Sequence, residues 1–484
     1  MNSSWEAVIG LEVHCQLATQ SKIFCSCPAQ PVGYASVADV PPNLYTCPVC
    51  TGQPGSLPTL NAKAVELAVR AGLATGCAIR EKSVFARKNY FYADLPKGYQ
   101  ISQYELPICE NGSLTFSVGD SQKTVHIQRI HMEEDAGKLV HQGGETLVNL
   151  NRAGVPLVEI VSAPELRSPE EAGAYMRALH SIVTSIGVSD GNMQEGNFRC
   201  DANVSVRPRG QKEFGTRVEI KNVNSFRFVE KAITHEIDRQ ISEIESGRKI
   251  IQETRLYDSE KDLTISMRTK EDAEDYRYFP DPDLPPLVLE TAFIEGIRRE
   301  LPELPSQKKE RYQRDFGLSA YDSEVLTFNP SLTQLFDRSV PPEASSKTAK
   351  IIANLLTQEV ARLSNEEGVD PSQSKLAPQH LVDLCQMQDE GKLSSSNVKK
   401  ALQIAWRSGG TIAQIAEKEG LVQMNDKAAL EKIVRQVLDA NPAQVAELKG
   451  GKEKVIGFLV GQVMKTSGGK ANPALVQTLI RRLL

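Results

Sequence analysis

The segment VIGLEVHCQL, residues 8–17, alternates apolar and polar side chains: Leu11, Val13, Cys15 and Leu17 against Glu12, His14 and Gln16. A β-strand has a side-chain period of two, so Glu12 and His14 project to one side and the apolar set to the other. RCDANVSVRP (199–208) repeats the pattern, with Asp201, Asn203, Ser205 and Arg207 opposite Ala202, Val204 and Val206. TRVEIKN (216–222) groups Arg217, Glu219 and Lys221 in the same way. A merely solvated sheet face carries Lys, Thr and Glu at random. This one carries Glu, His, Asp and Asn, the oxygen and nitrogen donors that hold divalent cations. These strands read as the floor of an active site.

Around them, residues 1 to about 290 mix strands and turn-rich loops with a few helices. One helix is expected from about Asn61 to Gly76, where Val65, Leu67, Ala68, Ala71 and Leu73 form an apolar stripe. A second starts at SPEE, with Ser168 as cap and Pro169 at the first helical position. A third covers approximately Phe226 to Ser246. This mixture predicts an α+β fold built on an antiparallel sheet. At YFPDPDLPPL (278–287) the composition shifts, with four prolines between 280 and 287, and strand signals then nearly vanish. From Ser306 onward the periodicity predicts helices near 307–316, 322–337, 344–365, 376–390 and 394–406, a hinge at SGGT (408–411), and shorter helices to 483. The expected division is a catalytic domain at 1–290, an all-α helical domain at 291–408 and a small all-α tail at 409–484.

At 484 residues the chain has room for two to four domains, at about 150 residues each. Its 40% hydrophobic and 24% charged residues suit a globular protein. No apolar run approaches the ~20 residues of a membrane span. The start, MNSSWEAVIG, lacks the basic region and apolar core of a signal peptide, so a cytoplasmic or organelle-interior address is expected. A net charge of −5 argues against a protein coated in positive charge, although a local basic patch is compatible with it. The tail is such a patch: from Leu448 to Leu484 seven Lys or Arg face one acid, Glu453, which suits contact with a phosphate backbone.

Nine cysteines are unevenly placed. Cys25 and Cys27 form C-x-C, and Cys47 and Cys50 form C-x-x-C after nineteen residues. Four thiolates in two close pairs suit tetrahedral Zn²⁺, and a site with no open position is structural. Cys15, Cys77, Cys109, Cys200 and Cys385 are isolated and read as small core residues.

Other segments carry chemistry. RIHMEEDAGK packs His131, Glu133, Glu134 and Asp135 together. Glu159 sits in the otherwise apolar run Pro156 to Val161, where a buried carboxylate needs a metal or a cation such as Arg152 or Lys88. FARKNYFYADLPKGYQISQY (85–104) and EDYRYFPDPD (274–283) interleave Arg87, Lys88, Lys97 and Arg277 with aromatic rings, a combination that can hold phosphate and stack a base. No G-x-x-x-x-G-K-[ST] phosphate loop occurs.

VIGLEVHCQL, SKIFCSC, CPVCTGQPGSLPTLN, RKNYFYADLPKGYQISQY, HMEEDAGK, LNRAGVPLVEIVSAP, RCDANVSVRP, EIKNVNSF and DYRYFPDPDLPPL together closely resemble the B-subunit family (GatB) of tRNA-dependent amidotransferases. FLVGQVMKTSGGKANP resembles that family's tail domain, so the likeness runs end to end. It implies a cradle-shaped catalytic domain, a helical domain and a tRNA-binding tail. It implies ATP-dependent phosphorylation of the side-chain carboxylate of Glu-tRNA(Gln) and, in many bacteria, Asp-tRNA(Asn). Ammonia for the amidation would come from a partner amidase (glutaminase), the A-subunit, in a heterotrimer completed by a small C-subunit. The family's Mg²⁺ ligands map onto Glu12, His14, Glu134, Glu159 and Asp201, with Glu133 or Asp135 able to serve in place of Glu134. Arg87, Lys88 and Arg207 are the expected phosphate-facing cations, with Lys88 also in the catalytic set. The cysteine pairs match the zinc-bearing version of the family. Two rival readings use the same residues: a metal-dependent RNA phosphodiesterase, and a noncatalytic tRNA scaffold.

Overall fold

The computed structural model describes residues 4–119, 121–269, 276–423, 427–468 and 471–484. The chain forms two compact units, Met1–Pro305 and Ser306–Leu484. Glu274 and Asp275 of the second aromatic segment, and Gly469 and Lys470 of the tail, lie outside the described residues.

The first unit is organised by a nine-stranded sheet. Numbered along the chain, its strands are β1 (Trp5–Gln16), β2 (Ala78–Ile79), β3 (Cys109–Val118), β4 (Ser121–Glu134), β5 (Pro156–Ser162), β6 (Phe198–Pro208), β7 (Val218–Val223), β8 (Glu253–Asp258) and β9 (Leu263–Thr269). Their spatial order is β9-β8-β7-β6-β1-β5-β4-β3-β2, so the first of these strands in the sequence is central. All pairings are antiparallel except β7 with β8. That exception follows from the connection, because a parallel pair needs a crossover and the helix Phe226–Glu245 supplies it.

Three helices join the core that covers the apolar face: α1 (Ala62–Ala74), α2 (Pro169–Ser185) and α3 (Phe226–Glu245). Each starts at a side-chain cap. Asn61 accepts from the amides of Lys63 and Ala64, Ser168 from Glu171, and Ser225 from Phe228. Against them lie Leu11, Val13 and Cys15 of β1, all fully buried, and each Leu or Val contributes about 1.5–3 kcal/mol. Apart from this sheet, the short strands Phe85–Asn89 and Tyr99–Gln103 pair with each other. A helix at Thr291–Glu300 adds Ile294 and Ile297 to the same core, so this unit runs past residue 290.

The second unit is helical, with two apolar clusters. One gathers around Tyr312, Phe336, Leu356, Leu381 and Trp406, the other around Leu430, Leu459, Val476 and Ile480. The single helix expected over 322–337 is instead two, Ala320–Phe328 and Pro330–Ser339. Pro330 has no N–H to continue the ladder, and Asn329 caps the new helix by accepting from Ser331 and Leu332 at 2.8 and 3.2 Å. Among the described residues no helix is long and apolar enough to cross a membrane.

Candidate functional site

Strand pairing converts the alternation into rows. His131 of β4, Glu159 of β5, His14 of β1 and Arg199 of β6 face one another across four neighbouring strands. In the next row Val161, Glu12 and Asp201 are paired, and beyond it Gly10, Asn203 and Glu219. The polar residues therefore share one face, opposite the helices.

Within this face the side chains converge. Glu159 Oε2 lies 3.4 Å from His14 Nε2 and 3.7 Å from His131 Nε2. His131 Nε2 is also 3.2 Å from Glu133 Oε1. One donor atom each from His14, Glu133 and Glu159 falls within 4.8 Å of the others. Ser102 donates to Glu133 Oε1 at 2.6 Å and the Gln100 amide to Oε2 at 3.1 Å, fixing this carboxylate. Beside the cluster, Glu12 accepts from Asn203 Nδ2 at 2.9 Å, and Asp201 accepts from Lys221 Nζ at 2.6 Å.

Two carboxylates and an imidazole around one point suit a divalent cation. Both imidazoles, His14 and His131, have a buried Nδ1 without a protein hydrogen bond, so this donor set has capacity to spare. The charges point the same way. Burial pushes the Glu133 carboxyl up, but the Lys88 ammonium and His131 outweigh it and bring it down to about 2. Burial likewise opposes ionisation of Glu159, yet His131 and His14 hold it well below the usual carboxylate range. Glu12 is raised, first by burial and then by the negative charges of Glu159, Glu219 and Asp201. A cation on this face would relieve that repulsion.

Several expected residues stand elsewhere. Glu134 is not beside His14. With His131 and Glu133 on the floor, the period of two turns it to the opposite side, where it pairs with Lys97 and accepts from Ile101 N at 2.8 Å. Arg87 faces away too, its guanidinium held by Asp281 and Asp283 at 2.8 Å each. Arg207 pairs with Glu6 at 2.7 Å, six residues and about 20 Å along β6 from Asp201 at strand spacing. Lys88 does face the cluster. Its ammonium lies 4.9 Å from the Tyr276 ring centroid; burial disfavours its charge, but Glu133 and other neighbours raise it above the usual lysine range.

Arg199 also belongs to the site, although sequence reasoning does not single it out, and it is joined by His131 and Lys221, which are expected only as members of polar segments. Arg199 donates to Asp135 Oδ1 at 2.8 Å. Its signal is present in the sequence, because it is two residues from Asp201 and so on the same face. Glu159 takes neither Arg152 nor Lys88 as a close ion-pair partner; Arg152 goes to Asp135 at 3.5 Å.

The four cysteines also come together, their sulfurs within 4.8 Å of one another. Cys47 and Cys50 sulfurs are 3.8 Å apart, the separation that two ligands about 2.3 Å from a tetrahedral zinc would have. The Cys47 amide donates to Cys50 Sγ at 3.2 Å, a contact that favours thiolate. Hydrogen bonding from Cys25, with the nearby Lys22 charge, brings the Cys50 thiol down to about 4. The donor set fits zinc.

The GatB/GatE catalytic domain model matches residues 7–295, and the GatB domain model matches 336–484. Curated relatives match over full length. The B-subunit of the aspartyl/glutamyl-tRNA(Asn/Gln) amidotransferase of Geobacter sulfurreducens is 54% identical, covering 99% of each chain. The corresponding B-subunits of Anaeromyxobacter sp. (strain Fw109-5) and Thermodesulfovibrio yellowstonii are 52% and 51% identical, covering 100% and 99% of this chain and 99% of their own. The chain belongs to the GatB/GatE family. Its GatB/GatE catalytic domain match spans the whole carboxylate floor and the four cysteines, and its GatB domain match covers most of the helical unit.

Proposed function

We propose that the chain is the activating component of an aspartyl/glutamyl-tRNA amidotransferase. It phosphorylates the side-chain carboxylate of Glu carried on tRNA(Gln), and of Asp carried on tRNA(Asn), at the expense of ATP. A partner amidase, the A-subunit, releases ammonia from glutamine to displace the phosphate, and a small C-subunit completes a cytoplasmic heterotrimer. The observation that carries this reading is the cluster of His14, Glu133 and Glu159, with Glu12 and Asp201 alongside on the same sheet face. The names of the relatives support the substrate class.

The chemistry asks for this arrangement. A carboxylate is a poor electrophile because hydroxide leaves badly, and phosphorylation provides a better leaving group. The carboxylate and the γ-phosphate are both anions, so their approach needs positive charge between them. Mg²⁺, when bound, supplies that charge as a Lewis acid. His14, Glu133 and Glu159 would hold it, with Glu12 and Asp201 available for a neighbouring cation. Lys88, kept protonated beside Glu133, adds a fixed cation at the edge of the floor. Lys221 orients Asp201, and Asn203 orients Glu12. Zinc at Cys25, Cys27, Cys47 and Cys50 would take no part in bond making.

The test is ADP release by the reconstituted complex with and without Glu-tRNA(Gln). Release that depends on the misacylated tRNA, and is lost in H14A, is the expected result. Shortening of the tRNA without ADP would favour a phosphodiesterase instead.

A further inference from the structure

We infer that the four-cysteine knuckle positions the carboxylate floor, acting through Lys97 and Glu134; this rests on the floor reading given above. Gly52 follows the knuckle closely and has φ +69°, a conformation side chains rarely adopt. A Cβ there would come 2.7 Å from Lys97 Cγ, 3.0 Å from its Cα and 3.2 Å from its backbone N. The turn that ends the knuckle therefore abuts the backbone of Lys97. A cavity of about 90 Å³ is bordered by both partners of this contact, with Cys25, Cys50, Lys97 and Glu134 among its lining residues.

From Lys97 the connection runs inward. Its ammonium is paired with Glu134, and the two side chains are only 10% and 4% exposed. Such a pair resists displacement, because moving either partner leaves an uncompensated buried charge. Glu134 also accepts from Ile101 N at 2.8 Å. That fastens the strand Tyr99–Gln103 to β4, and this strand carries both donors that orient Glu133. Gln100 Nε2 donates to Glu134 O at 2.7 Å and to Glu133 Oε2 at 3.1 Å, and Ser102 holds the other Glu133 oxygen. On a second side, Lys22 Nζ donates to Cys50 Sγ at 3.7 Å, the adjoining Ile23 amide donates to Gly154 O at 2.9 Å, and the Gly154 amide donates to Asp135 O at 2.9 Å. The knuckle thus grips the Glu133–Asp135 segment from two directions. Lys97 and Glu134 are positioning residues on this view, and the zinc loop does more than staple its own ends.

The experiment measures Mn²⁺ binding to the intact complex by electron paramagnetic resonance, with zinc content determined by mass spectrometry. Stripping zinc is expected to weaken Mn²⁺ binding about tenfold or more, the scale of lost outer-shell support, and adding zinc back should restore it. K97M should weaken it comparably while retaining zinc, and should lower kcat for ADP formation without raising KM for aminoacyl-tRNA. K97R, which keeps the cation, should weaken Mn²⁺ binding less than K97M does. Native Mn²⁺ affinity in both the stripped complex and K97M would overturn the inference. H14A separates the two readings. It should abolish Mn²⁺ binding whether or not the knuckle is coupled, and native affinity in H14A would remove the floor itself.

Discussion

His14 and Glu159 are directly paired residues of adjacent strands, and their Nε2 and Oε2 atoms lie 3.4 Å apart. Sheet register alone achieves this. A slip of one residue in β1 would turn Glu12 and His14 into the helix-covered core and expose Leu11 and Val13, so apolar burial enforces the geometry of the polar face.

Replacing His14 by Ala, or Glu159 by Gln, should reduce tRNA-dependent ADP formation by at least about 100-fold, the scale seen when one electrostatic group is removed from a reacting centre. Glutaminase activity of the partner should persist where the two reactions are uncoupled. ADP formation within a few-fold of native in both variants would count against the floor.

Zinc should be present at one atom per chain, with sulfur ligands at about 2.3 Å by X-ray absorption. Substituting Cys47 by Ser should lower the zinc content and the unfolding temperature together. Full-length protein purified without chelators and free of zinc would contradict the assignment.

Asp337 links two helices of the second unit, accepting from Lys308 at 2.5 Å, Arg311 at 3.0 Å and the Tyr312 hydroxyl at 2.7 Å. Burial raises its carboxyl, but these partners outweigh it and leave the native pKa below the ordinary 3.8. A depressed pKa stabilises the folded state above the unfolded value and ceases to do so as pH falls through the native one. D337N should therefore cost roughly 1.5–3 kcal/mol at neutral pH. Its difference from the native protein should close as the pH drops below 3.8. Trp406 fluorescence in a W5F background reports this unit, since the chain has two tryptophans.

Deleting residues 409–484 should weaken binding of the tRNA body and flatten its dependence on salt, because the lysines and arginines of this segment release counterions from phosphates. The floor lies upstream, so ATP binding should survive. Titration of the complex with tRNA at two salt concentrations measures both effects; an unchanged affinity would point to a role in assembly.

Much of the first unit is legible in the sequence because β1 and β6 alternate apolar and polar side chains, while β5, buried throughout, shows as an apolar run broken by Glu159. Glu12, His14, Glu159 and Asp201 stand out as ionisable residues within runs of Leu, Val and Ala. The run Glu133, Glu134, Asp135 does not disclose its phase, since three successive acids look alike until Met132 is seen buried and His131 paired with Glu159. Arg87 and Arg207 read as phosphate-facing cations, but local composition shows a cation and not its partner, and in the structure both are paired with carboxylates. Asp281 reaches Arg87 from the far side of the unit's sequence, and Glu6 reaches Arg207 only through the β1–β6 pairing. The break at Asn329–Pro330 has a local signal, but the continuous apolar stripe around it masks the interruption.

The central position of β1 has a consequence for how the protein is made. Its neighbours β5 and β6 begin at Pro156 and Phe198, so the ribosome emits the middle of the sheet long before either flank exists. At 5–20 residues per second the wait is roughly 10–30 s. Throughout it, VIGLEVHCQL offers two open hydrogen-bonding edges and an apolar face to its surroundings. The segment is thus adhesive while it waits, and chaperone demand there should fall once translation passes residue 208.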